Sequence, residues 1–227
     1  MTDKSMQFLY GDRELLLLVG DLLSLPVDVI VHDTDPKLLL AEPIGQRILS
    51  EAGTDIQLEL KQLIRQYGSI EPGMVVFTTA GSLPFQSIIH CINPNQQDDG
   101  QAVLEQTILR SLLLCETNDW QSIAFPAIGV ESRSITLDMC AQAFFRAITS
   151  FWDARHECVV EKIILSVKRE QLPIFFSAFR QHAIQSDEQE TKHQDRSADQ
   201  DNMNIGVVDL LEDDLAEEDE EVKSWFK

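Results

Sequence analysis

Apolar positions alternate along the chain between short continuous runs and longer stretches with a period near 3.6 residues. "MQFLY" and "RELLLLV" flank Gly11-Asp12, a hairpin signal. "VDVIVH", from Val27 to His32, is a continuous apolar run and predicts a strand buried on both faces. Ile56, Leu60, Leu63, Ile64 and Tyr67 share one face of a helix that stops at Gly68. "GMVVFTT" and "SIIHCI" predict two more strands. Leu104, Ile108, Ser111, Leu112 and Cys115 mark a helix, and "SIAFPAI" a strand. Cys140, Phe144, Ala147, Ile148 and Phe151 give a strong helical stripe, and "EKIILSV" predicts a last strand. "LPIFFSAFRQHAI" predicts a closing helix, with Pro173 in the first turn, where proline is tolerated. Strands alternating with helices predict one three-layer α/β/α domain over residues 1–185. Its sheet should be mixed and mostly parallel, with an N-terminal hairpin.

The rhythm stops near Gln185. From Ser186 to Lys227, 15 acidic residues stand against 4 basic ones. Residues 186–204 hold almost no large apolar side chain. They cannot bury enough surface to offset the entropy of ordering and predict a disordered acidic linker. Residues 205–227 differ. Val208, Leu211, Leu215, Val222 and Trp225 recur at helical spacing among carboxylates. This acidic amphipathic segment is a candidate helix and a candidate binding element for a protein partner that offers an apolar groove with basic flanks. It could equally dock on its own domain or serve as a solubilising tail.

With 227 residues, 44% of them apolar, the chain can support a substantial core. Its net charge of −20 argues against nucleic acid and against anionic membrane surfaces, because both need clustered Lys and Arg. The longest apolar candidate, "ELLLLVGDLL", falls far short of the ~20 residues of a membrane span. The first residues, "MTDKSMQFLYGDRE", lack the apolar core of a leader peptide. A cytoplasmic protein is expected. The four cysteines, Cys91, Cys115, Cys140 and Cys158, are widely spaced without a Cys-x-x-Cys, as expected of reduced core thiols.

Four segments, in order, resemble the macro domain family. "GDLLSLPVDVIV" (Gly20–Val31) is similar to that family's Gly-Asp-Ile-Thr-x-x-x-Val-Asp-Ala-Ile-Val, and the match runs without a gap to "ILSEAG" at Gly53. "EPGMVVFTTAGSLPFQSIIHCINP" and "SIAFPAIG" resemble two further stretches. The similarity covers about residues 13–180. It implies the family's fold and a cleft for ADP-ribose or a related adenine nucleotide at the carboxyl ends of the strands. Asp21 matches the Asp that accepts from the adenine amino group; it could instead cap a turn. Asp35 falls on a ribose-contacting Asn. Glu42 and Pro43 replace glycines whose amides approach the diphosphate. The Asp that many family hydrolases use to activate water falls on Gly45. In the second loop, Gly129, Val130, Glu131 and Arg133 stand where the family has a Ser-Thr-Gly-x-aromatic-Gly run. The helix after it could still offer amides to an anion.

These departures imply a degenerate site that binds weakly, without orthodox hydrolase activity and with no assigned catalytic residue, metal or cofactor. The alternative is a scaffold acting through its acidic C-terminal segment. A third possibility is an ADP-ribosyl hydrolase with replaced catalytic residues. His32, Asp33, Asp35, Glu42 and Glu131 could meet at one strand end as an acid–base or metal cluster, or face water as a solvated loop. His90, inside "SIIHCI", has the setting of a packed core histidine.

Overall fold

The computed structural model describes residues 5–93, 99–131, 135–155 and 157–180, together with the backbone of 207–210. The chain opens with β1 (Ser5–Tyr10) and β2 (Arg13–Val19), an antiparallel hairpin whose turn places Gly11 at φ 61°. A single 3-10 turn (Leu22–Ser24) leads to β3 (Val29–Thr34). Helices α1 (Pro43–Ala52) and α2 (Thr54–Tyr67) follow, and α2 ends on Gly68 at φ 73°. Then come β4 (Val75–Thr79), β5 (Ser87–Ile92), α3 (Gly100–Asn118), β6 (Ser122–Pro126), α4 (Leu137–Asp153) and β7 (Lys162–Val167). Residues 172–180 are helical (α5), with Pro173 in the first turn. Among the described residues the last strand is β8 (Val207–Leu210).

The sheet runs β4-β5-β3-β6-β7-β2-β1-β8. β5, β3, β6, β7 and β2 are parallel, whereas β4, β1 and β8 pair antiparallel to their neighbours. Alternate residues of the inner strands feed two cores. Val29, Val31, Ile89 and Cys91 pack with α3, α4 and α5; Ile30, Ile88 and Ile92 pack with α1 and α2. The stripe of Cys140, Phe144, Ala147, Ile148 and Phe151 is wholly inside, each large side chain stabilising by about 1.5–3 kcal/mol. All four cysteines are free thiols, three of them buried. Among the described residues no helix is long and apolar enough to cross a membrane.

Two features differ from the sequence reading. The stretch from Pro43 onward, read as part of a ligand loop, is helix α1. Proline at the first helical position is preorganised for it, and Ile44, Ile48 and Ala52 lie on its inner face. Within 205–227, residues 207–210 form a strand and not a helix. The outer edge of β1 offers unpaired backbone groups, and Ser5 to Phe8 pair with Leu210 to Val207. The linker 186–204 and residues 205–206 and 211–227 lie outside the described residues.

Candidate functional site

β3 pairs with β5 along its whole length, from Val29–Ser87 to Thr34–Ile92, but with β6 only through Val29–Ile123 and Ile30–Ala124. Beyond Ile30 the ladder between the two strands stops, and their carboxyl ends are not paired with each other. The chain leaving β3 turns toward β4 and β5, and the chain leaving β6 turns toward β7. Such a switch point is where open α/β sheets bind ligands. His32 and Asp33 stand at this end of β3 and point to opposite faces.

On the α1 face, His32 is fully buried and its Nε2 is hydrogen-bonded to Glu42 Oε1. Its Nδ1 lies 3.4 Å from Nδ1 of His90, its register partner on β5. His90 Nε2 lies 2.9 Å from Thr78 Oγ1 on β4. Burial, reinforced by His32, holds the His90 pKa well below its usual value, so this ring is neutral. Burial acts to raise the Glu42 pKa, but the His32 hydrogen bond and a backbone amide outweigh it, and the net shift is downward. Glu42 is therefore a held carboxylate at the start of α1. Its position requires Gly45: a Cβ there would run into Glu42 Oε1 and come within 2.9 Å of Leu40 Cα. A carboxylate at position 45 and the Glu42–His32 pair exclude each other.

On the α4 face, the Asp33 carboxylate accepts from the Gly129 amide at 3.3 Å. Burial pushes its pKa up, against the His32 charge and this amide. Burial and Asp33 together raise the thiols of Cys91 and Cys140, so neither is a thiolate. Gly129 sits at φ 76°, a conformation that favours glycine. Val130 is half-buried against the α3–α4 core, while Glu131 is exposed and pairs with Lys168 at 2.6 Å. Thr136 caps α4 by accepting from the Met139 amide at 3.2 Å. Arg133 lies outside the described residues.

Two further candidates are engaged by the protein itself. Asp21 caps the 3-10 turn, accepting from the Leu23 amide at 3.4 Å and the Ser24 hydroxyl at 3.1 Å. Arg47 of α1 grips the same carboxylate from above with bonds of 2.8 and 2.9 Å. Four donors thus occupy roughly four lone-pair sites. Asp35 accepts from the amides of Lys37 (2.7 Å) and Leu39 (2.9 Å) and so pins its own turn. That turn holds Leu38 and Leu40 at φ 54° and 51°, strain offset by burying both side chains. Leu39 between them is 62% exposed. The structure thus brings together His32, Asp33, Glu42 and Gly129, and leaves Asp35 and Glu131 with partners of their own. Among the described residues no group of three or more His, Cys, Asp or Glu could hold a metal. Thr78 and Arg47 are members of the site that pattern reading alone does not supply, whereas His90, expected as a packed core histidine, is fully buried.

A family model described as Macro domain matches residues 31–144. O-acetyl-ADP-ribose deacetylase of Klebsiella pneumoniae (strain 342) is 34% identical over 139 residues, spanning 60% of this chain and 79% of that protein. Histone macroH2A1.1 of Capsaspora owczarzaki is 27% identical over 150 residues, 65% of this chain and 41% of that protein. The Oceanobacillus iheyensis macrodomain with ADP superposes with a TM-score of 0.75 at 21% identity, covering 82% of this chain and 100% of that one. At that identity the structural likeness speaks for the fold alone.

Proposed function

Since this chain belongs to the Macro domain family, we propose that it binds ADP-ribose or a related adenine nucleotide at the switch point between β3 and β6. Binding is weak and lacks the hydrolytic chemistry of orthodox members. The similarity to an O-acetyl-ADP-ribose deacetylase supports the ligand class. One observation carries the weakness: the switch point is furnished with the protein's own carboxylates. Asp33 takes the Gly129 amide that an anion would use, and Glu42 stands at the start of α1 where an anion would meet helix amides. At ~4 Å and an effective dielectric of ~20, each like-charge contact with a diphosphate costs about 4 kcal/mol before screening. A charged hydrogen bond returns only about 1.5–3 kcal/mol. Most of the affinity then comes from the adenosine end. Asp21 can serve adenine only in exchange for one of its four present donors.

Calorimetric titration with ADP-ribose, AMP and adenosine tests this, in wild type and in Glu42→Gly/Pro43→Gly. Wild type should bind adenosine nearly as well as ADP-ribose. The glycine pair should tighten ADP-ribose alone, because it removes a charge and restores an amide donor. Tight ADP-ribose binding by wild type that weakens in the glycine pair would overturn the reading.

A second reading, an interaction scaffold working through the acidic C-terminal segment, draws on β8. Pairing of Val207–Leu210 with β1 starts residues 211–227 from a fixed point on the sheet edge. Pull-down with a Ser186–Lys227 peptide, against the same peptide carrying Leu211→Asp and Trp225→Asp, tests it. Identical recoveries would sink it.

A further inference from the structure

We propose that the outer edge of β4 is a docking strip for an extended segment of a partner protein, with alternating apolar side chains and a lysine or arginine at each end. The strip is independent of the nucleotide reading and shares none of the residues on which that reading rests.

β4 is the end strand of the sheet and pairs with β5 on one side alone. Among the described residues, the backbone on its other side is engaged at its last position and nowhere else. There the Thr79 amide and hydroxyl turn away from β5 and donate to Glu59 of α2, at 2.8 and 2.5 Å. In an antiparallel ladder alternate residues aim their N–H and C=O groups the same way, so those of Val75 and Phe77 face outward with Thr79. Proteins usually guard such an edge with charge, proline or a covering element. Glu59 guards the last position and leaves Val75 and Phe77 open.

The side chains along this edge are apolar. Phe77 is 44% exposed, and its ring meets Trp120 edge-on with centroids 5.7 Å apart. Met74, just before β4, and Leu113, on α3, are as exposed as Phe77. Arg110 reaches the Gly73 carbonyl and the Met74 sulfur, which sets its side of α3 beside the start of β4. Leu113 follows one turn later on that side. Met74, Phe77 and Leu113 therefore form an apolar margin beside a row of free backbone groups, which is the arrangement that strand addition uses.

Charge selects the occupant. Glu71 stands exposed before β4, Glu59 holds its far end, and Arg110, the cation that reaches this edge, is spent on the Gly73 carbonyl. A second copy would bring the same two carboxylates and a net charge of −20, so pairing of β4 with β4 is opposed. A segment with a cation at each end meets Glu71 and Glu59 instead, and its alternate apolar residues fall on the Phe77 side. The five residues of β4 span about 17 Å, so about six or seven residues suffice.

The probe is a dye-labelled peptide, Lys-Val-Thr-Val-Thr-Val-Lys, titrated with the full chain and followed by fluorescence anisotropy. Wild type should bind it, and Phe77→Thr, which keeps a strand-forming residue, should bind about tenfold more weakly. Val75→Pro should do the same, because proline at an edge removes an outward N–H and spares the ladder to β5. N-methylating the amides of the three valines, or those of the two threonines, leaves the protein untouched. One set should abolish binding and the other should leave it nearly intact, since a paired strand turns alternate amides toward β4. Replacing both lysines of the peptide by glutamate should cost about tenfold or more. No binding by wild type at millimolar concentration overturns the proposal. So do equal effects of the two methylated sets, which would mean general attraction to an acidic protein. Equal binding of the glutamate-ended peptide, or a dimer of the free protein in light scattering that Phe77→Thr dissolves, overturns the assigned occupant.

Discussion

Replacing Gly45 by alanine sets two physical effects of opposite sign against each other. Gly45 is a buried position in the first turns of α1. Helix propensity alone predicts that Gly45→Ala stabilises the protein by about 0.8–1.0 kcal/mol. The packing predicts the reverse. The new Cβ would collide with Glu42 Oε1 and lie 2.9 Å from both Cα and Cβ of Leu40, a fully buried residue already at φ 51°. Overpacking of this kind costs about 1–3 kcal/mol. Driving Glu42 from His32 removes a charged hydrogen bond to a buried ring, worth roughly 1.5–3 kcal/mol. The net expectation is a loss of about 1.5–5 kcal/mol after the propensity gain. Urea unfolding should show the midpoint falling by about 1 M with an unchanged slope. In a Glu42→Ala background the same substitution should cost less, because part of the collision has gone; the coupling should be about 0.5–3 kcal/mol. Gly45→Ala as stable as wild type, or more stable, would refute the claim that glycine is there to admit Glu42.

Three further outcomes follow from the geometry. The folded-state pKa of Asp33 is raised, chiefly by burial, so folding binds a proton more tightly and stability falls as pH rises through the window between the unfolded and folded values. Asp33→Asn should therefore gain stability over wild type at neutral pH and lose the advantage below the ordinary carboxylate range; thermal melts at several pH values check this, and a pH-independent difference contradicts it. Arg47→Ala should cost less than about 1 kcal/mol, because its ion pairs are exposed, yet free Asp21 and tighten adenosine binding, an effect that Asp21→Ala should abolish in titrations. Release of ADP-ribose from mono-ADP-ribosylated substrate should be absent, or slower by about 10²–10⁴ than an orthodox macro-domain hydrolase run alongside; comparable turnover would point to Glu42 as a working base.

Much of the fold is legible in the chain because burial writes itself as periodicity. "SIIHCI" is β5 residue for residue, and the Cys140–Phe151 stripe is the inner face of α4. Helix α1 is less legible, because Glu42 and Pro43 stand out as obstacles to a ligand, although Ile44, Ile48 and Ala52 recur at helical spacing behind a proline suited to a first turn. The strand at Val207–Leu210 is set by the open edge of β1, a tertiary opportunity that outweighs local helical spacing. At the site, the carboxylates themselves were visible but their partners were not. Asp21 meets Arg47 across 26 positions, and His32 meets His90 across 58. Such pairs depend on strand register and helix placement, which no local pattern encodes. The capping role of Asp21 was readable because the donors it satisfies lie two and three residues on.

The strand order also sets a timetable for synthesis. The β1–β2 hairpin forms from the first residues described, yet the inner edge of β2 is closed only by Lys162–Val167 and the outer edge of β1 only by Val207–Leu210. At about 5–20 residues per second, a nascent hairpin waits roughly 8–30 s for its inner neighbour and roughly 10–40 s for its outer one. Through that interval a leucine-rich ribbon, "RELLLLV", stands with both edges bare on the ribosome. Pairing between hairpins of neighbouring nascent chains is the hazard this order creates. Slowed translation between residues 19 and 162 should lengthen the exposure and raise the chaperone demand of the newborn chain.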